Sequence, residues 1–281
     1  MSTAHVSWEY NGVNLSRHAY DIRALGDPEV IPGKRGENVV IPHRTGRTHV
    51  DKFHDERVLT LTMLVKGTPV GSDTGLTGEN LYNHLETLKT LFAQTGRHTL
   101  KVTYPDYSVR QAEVEVVKSV VFEPQGPYHY GFAVDFVFPD VWWEAATATT
   151  VGPTTISATS QAITVNNTGT YQVERAMITI TGGVVNPKLW VTWHGVAVWV
   201  CYAATLSVGY TLTIDCDKYE ALLYDTSVYP LVGVDVTDKI VHYNSIFWLP
   251  IPVGSQTVTF TCDVLGATLP TVKIVFTPVY V

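Results

Sequence analysis

Residues 31–66 read IPGKRGENVVIPHRTGRTHVDKFHDERVLTLTMLVK, and the stretch changes character part-way. From Ile31 to Arg57 it is polar and dense in charge, has no helical period, and holds too little apolar surface to bury itself. From Val58 to Val65 it alternates, setting Leu59, Leu61, Met63 and Val65 on one face against Thr60 and Thr62 on the other, the period of a half-buried strand. An arm therefore hands over abruptly to core. Unstructured loops longer than about a dozen residues are uncommon in compact domains and are usually functional or ordered by a partner. The expectation is that the arm, 31–57, reaches a neighbouring subunit, with Pro32, Gly33, Lys34, Arg35, Gly36, Arg44, Arg47 and Arg57 as its contact residues.

Outward from that stretch, His5 to Tyr10 alternates and runs into Asn11-Gly12, the pair best suited to the positive φ angles of a type I′ hairpin turn. Tyr20 to Leu25 reads as a further short strand. Downstream, Leu81, Leu85, Leu88 and Phe92 recur at helical spacing, with Thr77 placed to cap, Glu79 in the first turn, Lys89 near the end and Gly96 at the exit. One apolar stripe predicts a helix laid against the sheet. Leu100 to Tyr104, Val114 and Val116, and Phe132 to Phe138 supply the remaining strands of a first domain, 1–145.

Residues 146–160 are rich in Ala, Thr, Ser and Gly without periodicity and read as a linker. Beyond it, 161–281 is a series of short strand-like runs separated by turn signals, which implies a β-sandwich. The halves differ in charge: Met1 to Glu144 holds 14 Lys+Arg and 18 Asp+Glu, whereas Ala145 to Val281 holds 5 and 8. The clearest hairpin is Leu189 to Cys201, LWVTWHGVAVWVC. A two-residue turn at His194-Gly195 pairs Trp190 with Trp199 on the face opposite Leu189, Val191, Trp193, Val196, Val198 and Val200, a set expected to be core. That Trp pair is a candidate contact for a glycan or a protein, unless another layer covers it.

A net charge of −7 and a pI near 5.8 argue against a nucleic-acid surface, which needs clustered Lys and Arg. No apolar run reaches the ~20 residues of a membrane span, and no signal-peptide pattern opens the chain. The expectation is a soluble protein made in a cytoplasm, without membrane insertion or sequence-specific nucleic-acid binding. Cys201, Cys216 and Cys262 lack CxxC spacing and read as buried free thiols. Phosphate-loop, dinucleotide, zinc-protease and hydrolase signatures are missing. His43, His49, Asp51, His54 and Asp55 could supply metal ligands only if the arm were fixed. Asp215-Cys216-Asp217 with Glu220 has no central Gly and no late bidentate Glu of a calcium loop, so it reads as a strand-end turn. No catalytic residue, metal or cofactor is expected, and the chain does not read as an enzyme.

The layout as a whole resembles the distal tail (Dit) proteins of long-tailed bacteriophages. In the first domain the resemblance rests on Pro32 to Gly36, Arg57 leading into the Val58 to Val65 strand, the Leu81 to Phe92 helix, Tyr104-Pro105, and Phe138-Pro139-Asp140-Val141-Trp142. In the second it rests on Val165 to Thr170, Ile178 to Gly182, Asn186-Pro187, Leu206 to Asp215, Trp248 to Gly254 and Val272 to Pro278. The chain departs from the family pattern at Ala176 and Val141, where proline is frequent. The resemblance implies a mainly β protein: a split-barrel-like N-terminal domain with one helix and a belt-like arm, then a galectin-like C-terminal sandwich. It also implies a homohexameric ring at the distal end of a virion tail. Its partners there would be the tail tube protein, the tail-tip hub or tail-associated protein, and the tape-measure protein passing with DNA through a central channel. The other reading of a β-rich appendage is a carbohydrate-binding or receptor-binding module that recognises host surface glycans.

Overall fold

The computed structural model describes residues 7–16, 20–25, 34–35, 53–54, 57–69, 74–140, 142–243 and 248–281. The chain divides into two compact units: one runs up to Glu144 and takes in Val281, and the other is Ala145–Tyr280. Both are built mainly from antiparallel strands, as the sequence predicts.

In the first unit, the alternating strand Arg57–Lys66 pairs along its whole length with His129–Phe138. The register sets Leu59 opposite Phe136, Leu61 opposite Val134 and Met63 opposite Phe132. All six are buried, so the two strands make a continuous apolar inner face of cross-strand pairs. The sheet continues on one side to Tyr20–Leu25. On the other it passes through Val109–Val116 and His98–Thr103 to Ser7–Tyr10 and Val13–Asn14. The first hairpin turns at Asn11 and Gly12, with φ of 45° and 77°, pairing Tyr10 with Val13.

The helix Gly78–Phe92 covers that inner face. Its Thr77 side chain accepts a hydrogen bond from the Asn80 amide at 3.1 Å, satisfying one of the amides that a helix start leaves unpaired. Leu81, Leu88, Leu91 and Phe92 are buried, each worth about 1.5–3 kcal/mol relative to exposure. Phe92 stacks on Tyr10 with centroids 5.8 Å apart and tilts against Phe132 at 6.1 Å. The buried stripe differs from the expected one at a single turn: His84 is buried and Leu85 is only half-buried. His84 is tolerated there because its Nε2 donates to the Thr68 carbonyl at 2.8 Å and its ring meets Tyr20 edge-on.

The second unit has two principal sheets. One runs Thr149–Thr155, Thr271–Phe276, Met177–Thr181, Tyr210–Asp215, Glu220–Asp225, Gly233–Asp235; the other runs Ser160–Asn167, Gly254–Thr261, Lys188–Trp193, Val196–Tyr202, Ile240–Tyr243. Each buries one alternating set, Ile178, Ile180, Leu212, Ile214, Val272 and Ile274 in the first, Ile163, Val165, Leu189, Val191, Val198, Val258 and Phe260 in the second. Facing apolar sets of this kind make a sandwich core.

Residues 149–155, expected within a linker, form instead an edge strand paired with Thr271–Phe276. Their Thr-rich, Gly- and Pro-containing composition hid this. The register slips between Val151 and Thr154, so Gly152 and Pro153 lie in a bulge on a sheet edge, the place where a strand tolerates proline.

Candidate functional site

Two regions gather the residues the sequence singles out. The first is the junction between arm and core. Lys34–Arg35 pairs antiparallel with Phe53–His54, Lys34 opposite His54 and Arg35 opposite Phe53, so the two ends of the arm are closed on each other by backbone pairing. Pro32, Gly33, Gly36, Arg44 and Arg47, and the His43, His49, Asp51 and Asp55 cluster's geometry, lie outside the described residues.

Arg57 is described, and it sits inside its own unit with 5% of its surface exposed. Its guanidinium lies over the Phe138 ring, 5.5 Å from the centroid. Phe138 meets Trp143 edge-on at 4.9 Å, and Trp143 meets Trp8 at 6.0 Å. The arm therefore leaves the core from a cation held against an aromatic cluster. Arginine suits this place because its planar, weakly hydrated head stacks on rings where an ammonium would keep its water.

The second region is the outward face of the five-stranded sheet in the second unit. The Leu189 to Cys201 hairpin has the predicted register, Trp190 opposite Trp199 and Trp193 opposite Val196, and turns at His194 and Gly195 with φ of 48° and 78°. Leu189, Val191, Val198 and Val200 are buried as expected, whereas the two members of that face beside the turn are not: Trp193 is half-buried and Val196 is exposed. Trp190 and Trp199 are half-buried on the opposite face. Trp199 is opposite Tyr243 of the next strand, and the two rings stack at 5.8 Å with 23° between their planes. The Lys188 ammonium lies 4.6 Å from the Trp199 centroid, a contact worth about 0.5–1 kcal/mol at an accessible site.

Tyr243 is the member of this group that the sequence reading missed. Ile240–Tyr243 is only four residues long and does not alternate, so nothing local marked it. Cys201 shares the same face and is half-buried; burial pushes its thiol up, an effect the nearby Lys188 opposes. Of the three cysteines only Cys216 is fully buried, and burial drives its thiol up to about 12. The expected strand-end turn at Asp215 is of ordinary construction. Asp215 Oδ1 accepts from the Asp217 and Lys218 amides at 3.0 and 3.2 Å, and Arg175 meets Asp217 at 3.1 Å. Among the described residues no cluster of three or more His, Cys, Asp or Glu is placed to hold a metal.

Neither a protein-family model nor a curated protein sequence matches the chain. Among solved structures, the Dit protein (gp 19.1) of phage SPP1, described as a paradigm of the hub adsorption apparatus in phages infecting Gram-positive bacteria, aligns over 98% of this chain and 99% of its own. The TM-score is 0.62 and the identity 13%. This chain has the Dit fold. Chains of the phage P2 baseplate in its activated conformation, with Ca and with Sr, align more loosely at TM-scores of 0.43 and 0.44. Identities are 8% and 9%, over 94% and 96% of this chain and 92% and 97% of theirs. The alignment with the SPP1 Dit protein takes in residues of both units.

Proposed function

We propose that this protein is a structural component of a phage tail tip. Six copies close into a ring at the distal end of the tail, joining the tail tube to the hub and leaving a channel for the tape-measure protein and DNA. The observation that carries this reading is the near full-length overlay on the SPP1 Dit protein. A lone domain match would leave the other half unexplained. The arm adds independent support, since a long polar segment ahead of the first long strand is of no use to a free-standing binding module. The charge supports it too. Six copies carry 6 × (−7) = −42 formal charges, and a wall without a cationic surplus lets a polyanion slide without sticking.

In this reading the arm residues Pro32 to Gly36, Arg44 and Arg47 contact the neighbouring copy, while Arg57 anchors the arm at its root. The protein has no catalytic task. The test is the mass of the purified protein by light scattering, joined with negative-stain images. Six copies of 31.0 kDa give 6 × 31.0 = 186 kDa and ring-shaped particles. A protein that stays at 31.0 kDa at high concentration and is absent from tail tips by immuno-electron microscopy sinks the proposal.

A further inference from the structure

A cavity of about 400 Å³ opens on the outer face of the first unit's sheet. Its floor is Thr62 and Ala133, cross-strand partners in the Arg57–Lys66 and His129–Phe138 strands, with Asp135 beside them. Its wall is the segment 118–125, which carries Lys118, Val121 and Glu123. Gly131 lets that wall come down on the sheet: Gln125 lies over it, and a Cβ there would meet the Gln125 Cγ at 3.1 Å. Two carboxylates line the cavity, and they differ. Asp135 is matched by Lys118 at 2.7 Å, whereas among the described residues no cation pairs with Glu123. The cavity therefore holds one unbalanced negative charge. Val121 is 63% exposed, an apolar side chain left open beside a polar groove.

We infer that this groove receives the tip of the arm of a neighbouring copy, with Arg44 and Arg47 set on Glu123. The inference rests on the ring reading and adds to it the surface that the arm grips. Length selects this occupant first. Seventeen residues, 36–52, separate the paired ends of the arm, and half of them extended at about 3.3 Å each reach roughly 28 Å, enough to cross onto an adjacent copy. Charge selects it second. The middle residue of that stretch is Arg44, so its farthest-reaching part is His43-Arg44-Thr45-Gly46-Arg47. Between Glu37 and Asp51 the Lys, Arg, Asp and Glu residues are Arg44 and Arg47 alone, so the tip is positive in a chain whose net charge is −7. A guanidinium forks onto a carboxylate with two hydrogen bonds, a directional grip that an ammonium lacks. The threonine, serine and glutamine side chains that line the groove with Glu123 suit a polypeptide, whose backbone offers both donors and acceptors. Val39, Val40 and Ile41 precede the tip and supply apolar contact for Val121. Other occupants fit less well. A polyanion is repelled by the unbalanced carboxylate, and among the described residues no third acidic or imidazole group joins the two carboxylates to hold a metal.

Each copy in a ring carries both an arm and a groove, so charge reversal tests the pairing in the full chain. Glu123→Lys gives a positive groove with a positive arm, and Arg44→Glu/Arg47→Glu gives a negative arm with a negative groove. Each variant alone should raise the concentration needed for half-assembly by roughly tenfold or more. Glu123 is exposed, so its variant should melt like wild type; if Glu123→Lys fails to fold, Glu123→Gln reads the loss of assembly instead. Mixed in equal amounts, the two reversed variants should restore rings of 6 × 31.0 = 186 kDa by light scattering. Alternating copies then place every arm on a groove of opposite sign. Either variant assembling alone at the wild-type concentration overturns the inference and leaves the ring reading standing. Weakened rings that mixing does not restore overturn it too. Rescue by all three substitutions in a single chain then seats the arm on its own groove, and no rescue removes Glu123 from the contact. A wild type that stays at 31.0 kDa sinks the ring reading, and this inference with it.

Discussion

Arg57 and Phe138 are cross-strand partners at one end of a ten-pair ladder, and the guanidinium of the first lies 5.5 Å from the ring centroid of the second. The pair stands where the charged arm meets the apolar sheet. Because Arg57 is 5% exposed, its side chain contributes packing as well as charge. Replacing it by alanine removes the stacked stem and head and should destabilise the first unit by about 1–3 kcal/mol. Arg57→Lys should recover only part, since an ammonium stacks less well and desolvates at greater cost. Urea titration followed by tryptophan fluorescence reads both; an alanine variant as stable as wild type would remove Arg57 from its role as the anchor.

Gly67 ties the end of the Arg57–Lys66 strand to the helix. Its carbonyl accepts from the Thr77 amide at 2.8 Å, and a Cβ at this position would sit 2.3 Å from the Thr77 carbonyl oxygen. The obstacle is backbone at the helix cap and cannot swing away. Gly67→Ala should therefore cost about 1–3 kcal/mol by overpacking. Thr77→Ala, which only removes the cap, should cost about 0.5–2 kcal/mol. Thermal melts of the two variants check this order, and a Gly67→Ala protein melting like wild type would contradict the geometry.

On the outer face of the same sheet, Asp135 accepts from Lys118 at 2.7 Å and from Thr60 at 2.6 Å. The hydrogen bond from Lys118, then that from Thr60, hold its carboxyl below its usual value. A folded value below the unfolded one means that the contribution is fully present at neutral pH and above the ordinary carboxylate range. It is lost as pH falls through that range, about 3.9, towards the lower folded value. Asp135→Asn should lower stability at pH 7 and leave a shallower loss on acidification. Chemical denaturation at pH 7, 5, 4 and 3 tests it, with parallel acid limbs in the two proteins as the contrary outcome.

The arm prediction follows from the pairing of Lys34–Arg35 with Phe53–His54. Replacing residues 36–52 by a short Gly-Ser turn keeps the paired ends and removes the reach. Both units should remain folded by circular dichroism and thermal melt, while the ring proposed above should give way to smaller species in light scattering. Normal rings from the shortened chain would show that the clasp lies elsewhere.

Much of this architecture was legible because its signals are local. Period-two alternation at Leu59 to Val65 fixes which face is buried, whatever the partner strand. Asn11-Gly12 and His194-Gly195 fix hairpin turns and hence the register of Trp190 with Trp199. The Thr77 cap and the leucine repeat fix the helix. None of these needs a distant contact. Other features depend on long-range pairing, which leaves little mark on a short stretch. Residues 149–155 are a strand because Thr271–Phe276 offers an edge with room for a bulge at Gly152 and Pro153. His84 is buried because the Thr68 carbonyl is there to accept its proton. Tyr243 becomes the third aromatic of the outer row only once Ile240–Tyr243 lies beside Val196–Tyr202. The sequence determined the elements and their apolar faces through local backbone and side-chain periodicity. The tertiary structure decided which elements are neighbours, and so which side chains share a surface, because that choice rests on burial and hydrogen bonding between residues far apart in the chain.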